Sequence, residues 1–237
     1  MKRPEELLME QVSLADFLKQ AQKRFALPDN QGDFVEQLLL ELEKVCSEAE
    51  TLLVQQRAGD RSLIACAAGC AHCCVVNVSI SVLEGLSILR FINQLDDKKR
   101  EQISVRLDEL WIKVRGLDDD ERLAQRKKCA FLDHQGCCVI YPVRPLFCRS
   151  ISSTDPEICR SAVTSKLYGD SQPLLMHQFQ LQLYETLFFA VGEGLNQVGL
   201  DGRSFQLSGL VRYLLRNSGN EAELLTNASL TWNALYA

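Results

Sequence analysis

The cysteines of this 237-residue chain are concentrated in its middle. Four of the ten fall within nine residues, in the segment CAAGCAHCC at 66–74, and a second series lies between residues 129 and 159. Only Cys46 lies outside this central region. Thiols at this density are typical of a protein that binds a thiophilic metal, provided that the chain is not secreted and stapled by disulfides.

Composition and charge place the chain among ordinary globular proteins. Hydrophobic residues make up 46% and charged residues 24%, and the net charge of −5 argues against a nucleic-acid partner. No apolar run approaches the roughly 18–20 residues of a membrane span, and acidic residues interrupt the start of the chain where a signal peptide needs apolar ones. We therefore predict a cytoplasmic protein with reduced thiols and without a membrane or nucleic-acid partner.

Hydrophobic spacing predicts helices on both sides of the cysteine-rich region. A capping box at Asp33–Glu36 opens an apolar stripe over residues 35–53, on which Cys46 is predicted to be a buried core residue. Further helices are predicted from Ser81 to about Asn93, and over 103–114, 118–128, 174–198 and 205–216. The basic residues at 122–128 are interpreted as a solvated helix face.

Residues 129–156 differ from this helical pattern. Glycine, proline and cysteine are frequent, helical spacing is absent, and Asp133–Gly136 has the composition of a tight turn. Such an irregular segment needs a cross-link to the rest of the fold, and a coordinated metal would supply one. The sequence therefore predicts a mainly α fold, a single helical domain that encloses a loop-rich, cysteine-lined metal centre. Its expected parts are N-terminal helices in 1–60, a metal-chelating core in 61–165 and C-terminal helices in 166–237.

The cysteine spacings leave the number of metal sites open. Cys70 and Cys73 have the pair spacing of zinc ligands, whereas the neighbouring side chains of Cys73 and Cys74 are expected to point apart. The loop therefore serves either two metal sites or one polynuclear centre. The later cysteines are too widely spaced to chelate locally, so we expect them to fold back onto the first cluster or to form a second site.

Charged and imidazole side chains near the cysteines are candidate auxiliary groups. Four thiolates around one divalent ion carry a net charge of about −2. The nearby Arg144, Arg149 and Arg160 are candidates to offset that charge through hydrogen bonds. His72 and His134 are either ligands, proton carriers or solvent-facing loop residues.

The spacing Cys66-x3-Cys70-x2-Cys73 also occurs in radical S-adenosylmethionine enzymes. Those enzymes normally carry an aromatic residue just before the third cysteine, where this chain has His72. They also need alternating strands and helices for their barrel, a pattern that is not found here. This alternative is therefore not favoured.

The two motifs together resemble the bacterial YkgJ-type cysteine-cluster family, named CxxCxxCC and described as a zinc- or iron-chelating domain. The matching pieces are CAAGCAHCC at 66–74 and CAFLDHQGCCVIYPVRPLFCRS at 129–150, within a resemblance that covers about residues 61–165. Three residues instead of two separate Cys66 from Cys70, and Cys137 lies outside the pattern as a predicted non-ligand.

The resemblance implies a protein that chelates zinc or iron, with an iron–sulfur cluster as a further form of bound iron. Some larger family members resemble flagellin lysine N-methylases, so the alternative is an iron-sulfur or iron-dependent enzyme of redox or protein methyl-transfer chemistry. A thiol-redox sensor without metal is a third, weaker reading. The helical shell is a possible surface for a protein partner, and no catalytic residue is assigned. The candidate metal ligands are Cys66, Cys70, Cys73, Cys74, Cys129, Cys138, Cys148 and Cys159.

Overall fold

The computed structural model describes residues 14–26, 33–56, 64–165, 174–217, 219–226, 230–231 and 235. Predicted helical residues 1–13, 27–32 and 57–60 lie outside this part of the chain. The elements are α1 (Leu14–Phe25), α2 (Phe34–Gln56), β1 (Ser79–Ser81), α3 (Val82–Asn93), α4 (Asp97–Val114), α5 (Asp119–Gln125), a 3-10 turn (Tyr141–Val143), α6 (Leu146–Ser150), α7 (Pro156–Ser165), α8 (Gln178–Gln197), β2 (Ser204–Gln206), α9 (Leu207–Arg216) and α10 (Glu221–Leu224). The prediction of a mainly α fold is confirmed.

Helix α2 begins as its sequence predicts. The Asp33 Oδ1 atom accepts hydrogen bonds from the backbone N–H groups of Val35 at 3.1 Å and Glu36 at 3.3 Å. The predicted stripe packs into the core, and Cys46 packs against it with the other partly buried members. Burial raises the pKa of the Cys46 thiol to about 12, as expected of a core residue in an apolar setting.

Helix α3 also begins at its predicted capping box. The Ser81 side chain accepts from the Glu84 N–H, and the Glu84 carboxylate accepts from the Ser81 N–H at 2.8 Å. The same carboxylate accepts from the backbone N–H of Leu146 at 2.8 Å, which ties α3 to the start of α6. Glu84 is 4% exposed, and burial raises the pKa of its carboxyl.

The helices share one core. Helix α8 packs against α1 and α6, and helix α9 packs against α3 and α4. The strands β1 and β2 pair antiparallel, with Ile80 opposite Phe205, and bring the start of α3 next to the start of α9. A contiguous cluster of buried side chains extends from Phe17 in α1 to Leu235.

Two local predictions between residues 118 and 156 need correction. Helix α5 ends at Gln125 instead of about Lys128, because Arg126 adopts a left-handed conformation with φ of 49°. The segment 129–156 contains the 3-10 turn and α6, although no helix was predicted there. It also buries Phe131 and Ile140, each 1% exposed, so apolar contacts anchor it to the core.

None of the helices in the described ranges is long and apolar enough to cross a membrane.

Candidate metal centre

The two cysteine-rich segments meet at a cavity of about 580 Å³. The later cysteines therefore share one cavity with the first cluster. Helix α4 contributes Leu107 and Leu110 to the wall, and α6 contributes Cys148. The cavity-lining cysteines are Cys66, Cys70, Cys73, Cys74, Cys129, Cys137, Cys138, Cys148 and Cys159. All eight predicted ligands are among them.

Two glycines allow the loop of the first cluster to touch the second motif. Gly69 and Gly136 have φ values of 84° and 79°, in the left-handed region that favours glycine. A Cβ atom on Gly136 would lie 3.1 Å from the carbonyl oxygen of Gly69, so a side chain there would push the two segments apart. The close approach brings the loop at 66–74 next to the turn at 133–136.

The predicted tight turn is present, and it closes a small hairpin that was not predicted. The Asp133 Oδ1 atom accepts from the N–H groups of Gln135 at 2.9 Å and Cys137 at 2.8 Å, and the Asp133 carbonyl accepts from Gly136. On the two arms, the Val139 N–H donates to the Phe131 carbonyl at 2.8 Å. We call residues 129–139 the cysteine hairpin, because it holds Cys129 and Cys138 on opposing arms.

Backbone hydrogen bonds attach both ends of the first cluster to the second series. The Cys129 N–H donates to the Cys74 carbonyl at 2.7 Å. At the other end, the Ser153 carbonyl accepts from the Ala65 N–H at 2.8 Å, and the Cys66 Sγ atom lies 3.9 Å from the same oxygen. The Ser153 side chain also lies near the Cys159 thiol, whose pKa it lowers against the larger effect of burial. The second series therefore folds back onto the first, as one of the two alternatives predicts.

The expectation that Cys73 and Cys74 point apart is wrong. Residues 72–75 form turns, and the two thiols lie close enough to interact directly. The interaction with Cys74, with burial as the next cause, raises the pKa of Cys73. A tight turn can direct neighbouring side chains to the same side, which an extended backbone cannot.

Most of the cavity thiols favour the neutral form. Burial is the largest cause of a raised pKa at Cys129, where it reaches about 11, and at Cys148, where it lies well above the ordinary value. Metal binding needs thiolates, so binding at such groups must release protons and weaken as the pH falls.

Among the described residues, no three His, Cys, Asp or Glu side chains are arranged to hold a metal ion. The cavity nevertheless fits a thiophilic metal by its chemistry, because its polar lining is dominated by thiols, the ligands that zinc and iron share. Metal–thiolate centres are also anionic, and the cavity wall includes two arginines.

The three arginines proposed as charge partners have different environments. Arg144 lines the cavity, and its guanidinium lies 4.5 Å from the Tyr141 ring centroid. Arg149 is buried elsewhere, where it pairs with Glu50 and donates to the carbonyls of Arg144 and Pro142. Arg160 pairs with the exposed Glu157 within α7. Only Arg144 of the three is at the cavity.

The second cavity arginine, Arg122, was missed. It is 3% exposed and lines the cavity, so the prediction of a solvated face is wrong at this position. Its Nη1 atom has no hydrogen-bond partner among the described residues. Arg126, Lys127 and Lys128 are exposed, as predicted. Nothing in the run of charges distinguishes Arg122 from these three residues.

The three histidines lie in different environments. His72 lines the cavity, whereas His134 is exposed on the hairpin turn. His177 caps α8, where its Nδ1 atom accepts from the Gln180 N–H at 3.2 Å. Of these three histidines, His72 is the one that lines the cavity.

Comparison with known proteins agrees with the motif. Residues 65–168 match the model of the family CxxCxxCC, whose description is "Putative zinc- or iron-chelating domain". No curated protein matches the chain, and no solved structure matches it either. The matched residues include every cysteine of the cavity. The resemblance inferred from the two cysteine motifs is thus confirmed over residues 65–168.

Proposed function

We propose that the protein binds zinc or iron in the cysteine-lined cavity through thiolate ligands. The observation that carries this proposal is that nine of the ten cysteines, from segments far apart in sequence, line one cavity. The description of the matched family, a zinc- or iron-chelating domain, supports it. The proposed ligands are Cys66, Cys70, Cys73, Cys74, Cys129, Cys138, Cys148 and Cys159, and Cys137 is proposed to be a cavity-lining non-ligand.

In this proposal, the chain presents the thiols from three sources: the loop at 66–74, the cysteine hairpin, and helices α6 and α7. Bound metal would cross-link these segments, so part of its binding free energy would stabilise their fold. The buried Phe131 and Ile140 hold the hairpin in place by apolar contacts as well. The metal would therefore bind to a partly organised site.

An iron-dependent enzyme is the second candidate. The cavity of about 580 Å³ favours it, because this size lies within the roughly 300–1,000 Å³ of small-molecule pockets and exceeds what a single ion requires. Its chemistry would be redox or protein methyl transfer, and iron or an iron–sulfur cluster would supply electron-transfer or Lewis-acid chemistry when bound. His72 is the cavity residue placed to carry a proton.

Elemental analysis and a visible spectrum of anaerobically purified protein test the proposal. We expect zinc or iron to copurify with the chain and to leave on chelation. Zinc without visible absorption would favour a structural or storage centre, because zinc is redox-silent. Iron with thiolate absorption would favour the enzyme. Protein that neither copurifies with a metal nor takes one up after anaerobic reconstitution would contradict metal binding.

A further inference from the structure

The cavity wall carries positive charge without a carboxylate to balance it. Arg122 and Arg144 line the cavity, and among the described residues that line it there is no aspartate or glutamate. Much of the remaining wall is apolar, and Leu107, Leu110 and Phe131 belong to that part. A wall of this composition suits a ligand that combines an apolar body with a negative charge.

Arg122 is the more deeply buried of the two arginines. It is 3% exposed, and its Nη1 atom is buried without a hydrogen-bond partner among the described residues, the cavity thiols included. Arg144 also has an unpartnered Nε atom, but its guanidinium stacks on the ring of Tyr141, which is 58% exposed. A buried guanidinium without an anion is destabilising because it loses its hydration. Arg122 is therefore the group on this wall that most requires an anionic partner.

Three carboxylates near Arg122 in sequence are engaged by other groups. The Asp118 side chain accepts from the Glu121 N–H at 2.8 Å, and the Glu121 side chain accepts from the Asp118 N–H at 3.0 Å. The Asp119 carboxylate accepts from the side-chain amide of Asn77 at 3.0 Å. These contacts cap α5 and attach it to the segment before β1, and they leave the Nη1 atom of Arg122 without a partner.

Side-chain hydrogen bonds connect this end of α5 to the start of α9. The Asn77 Oδ1 atom accepts from the Gln206 Nε2 atom at 2.9 Å, and the Gln206 Oε1 atom accepts from the Ser208 hydroxyl at 3.0 Å. All three of these residues line the cavity. The first N–H groups of a helix have no intrahelical partner, and Gln206 at the N-cap of the ten-residue α9 makes no side-chain capping hydrogen bond. The positive end of this helix dipole therefore adds to the charge of Arg122.

We propose that the cavity binds a small organic carboxylate with an apolar body, and that Arg122 holds the carboxylate group at the end of the cavity between α5 and the start of α9. The apolar body packs against Leu107, Leu110 and Phe131. A single negative charge suits this position better than the double charge of a phosphate, because each further charge in a largely apolar wall costs free energy of desolvation. This site goes beyond the proposed function, since it uses no thiol as a ligand and does not depend on which metal is bound.

Titration of straight-chain carboxylates into the full-length chain tests this site, with the metal content determined in parallel. Acetate, hexanoate and octanoate are compared by isothermal titration calorimetry, and hexanamide and octanamide are uncharged controls of the same shape. We expect binding to strengthen from acetate to octanoate, because a longer chain buries more apolar area. Each amide should bind about tenfold or more weakly than its carboxylate, since the charged hydrogen bond is lost.

Variants of Arg122 identify the group that holds the carboxylate. Arg122→Gln should weaken octanoate binding by about tenfold or more and leave octanamide binding unchanged, so that the preference for the carboxylate disappears. Arg122→Lys keeps the charge but not the planar set of donors, and should give an intermediate affinity for octanoate. Lys127→Gln removes an exposed positive charge just after the end of α5 and should bind octanoate as the wild type does.

Equal binding of octanoate and octanamide by the wild type, or binding of neither, would overturn the proposed site. A preference for octanoate that survives in Arg122→Gln would also overturn it, because a bound metal or another cation would then hold the carboxylate. If Arg122→Gln does not fold, Arg122→Lys decides, and an affinity for octanoate equal to that of the wild type would overturn the assignment. Absence of zinc and iron from the protein would contradict the proposed function alone, because the metal content is measured separately from carboxylate binding.

Discussion

Replacing both Cys73 and Cys74 with serine is expected to lower the metal content of the protein strongly. Both thiols line the cavity, and the Cys74 carbonyl accepts a hydrogen bond from the Cys129 N–H, so the proposed centre would lose two ligands where the two cysteine-rich segments meet. Serine retains the size of the side chain but is a poor ligand for zinc or iron. We expect the metal content per chain after reconstitution to fall by roughly tenfold or more.

The matched control is the double variant Cys46→Ser with Cys137→Ser. It removes the same number of thiols, but Cys46 packs against the core and Cys137 lies outside the family pattern. Its metal content should equal that of the wild type, as measured by elemental analysis of both folded proteins. Normal metal content in the Cys73/Cys74 variant, or loss of metal in the control, would show that the ligands are wrongly assigned.

Replacing Glu84 with alanine is expected to destabilise the scaffold strongly. The buried carboxylate accepts from the Ser81 N–H at 2.8 Å, the Ser81 hydroxyl at 3.0 Å and the Leu146 N–H at 2.8 Å. Its removal would leave these donors unpaired and release the start of α6, which carries Cys148. We expect the free energy of unfolding to fall by about 3–5 kcal/mol, measured by urea denaturation.

Glu48→Ala is the matched control for Glu84→Ala. Glu48 forms a half-exposed ion pair with Arg24, and such surface pairs contribute only about 0–1 kcal/mol. A loss of less than about 1 kcal/mol in Glu84→Ala would contradict the role assigned to this carboxylate.

The stability difference between the wild type and Glu84→Ala should also depend on pH. Burial raises the pKa of Glu84 in the folded state above its ordinary value of 4.5. Because this pKa is higher in the folded state, the unfolded protein loses the proton at a lower pH than the folded protein does. The contribution of Glu84 to the free energy of unfolding therefore decreases as the pH rises from the unfolded pKa to the folded pKa. The difference should therefore be larger at about pH 5 than at about pH 8, by the direction of that shift. An unchanged difference would indicate that the folded carboxyl titrates normally.

Local signals in the sequence predicted much of the fold. Ser81 and Glu84 predict the start of α3 because a capping box depends only on residues within one helical turn. Asp133 and Gly136 predict the hairpin turn for the same reason, since the turn is closed by its own side chain and a left-handed glycine. The apolar stripe of α2 repeats over many turns, which makes its helical period unmistakable.

The remaining features depend on contacts between distant segments. Helix α6 has only five residues, too few for a hydrophobic period, and its first N–H is held by Glu84 from α3. Arg122 and Lys127 have similar local surroundings in the sequence, and only the packing of α5 against the cavity buries the former. Arg149 is adjacent to Cys148 in sequence, yet its guanidinium pairs with Glu50 in α2.

X-ray absorption at the metal edge of the anaerobically purified protein tests the central claim most directly, because it identifies the atoms bound to the metal. For zinc, we predict a shell dominated by sulfur at about 2.3 Å, the distance of a zinc–thiolate bond. For iron, the nearest neighbours should likewise be sulfur. A shell made up of nitrogen or oxygen at about 2.0–2.2 Å would contradict a thiolate centre built from the cavity cysteines.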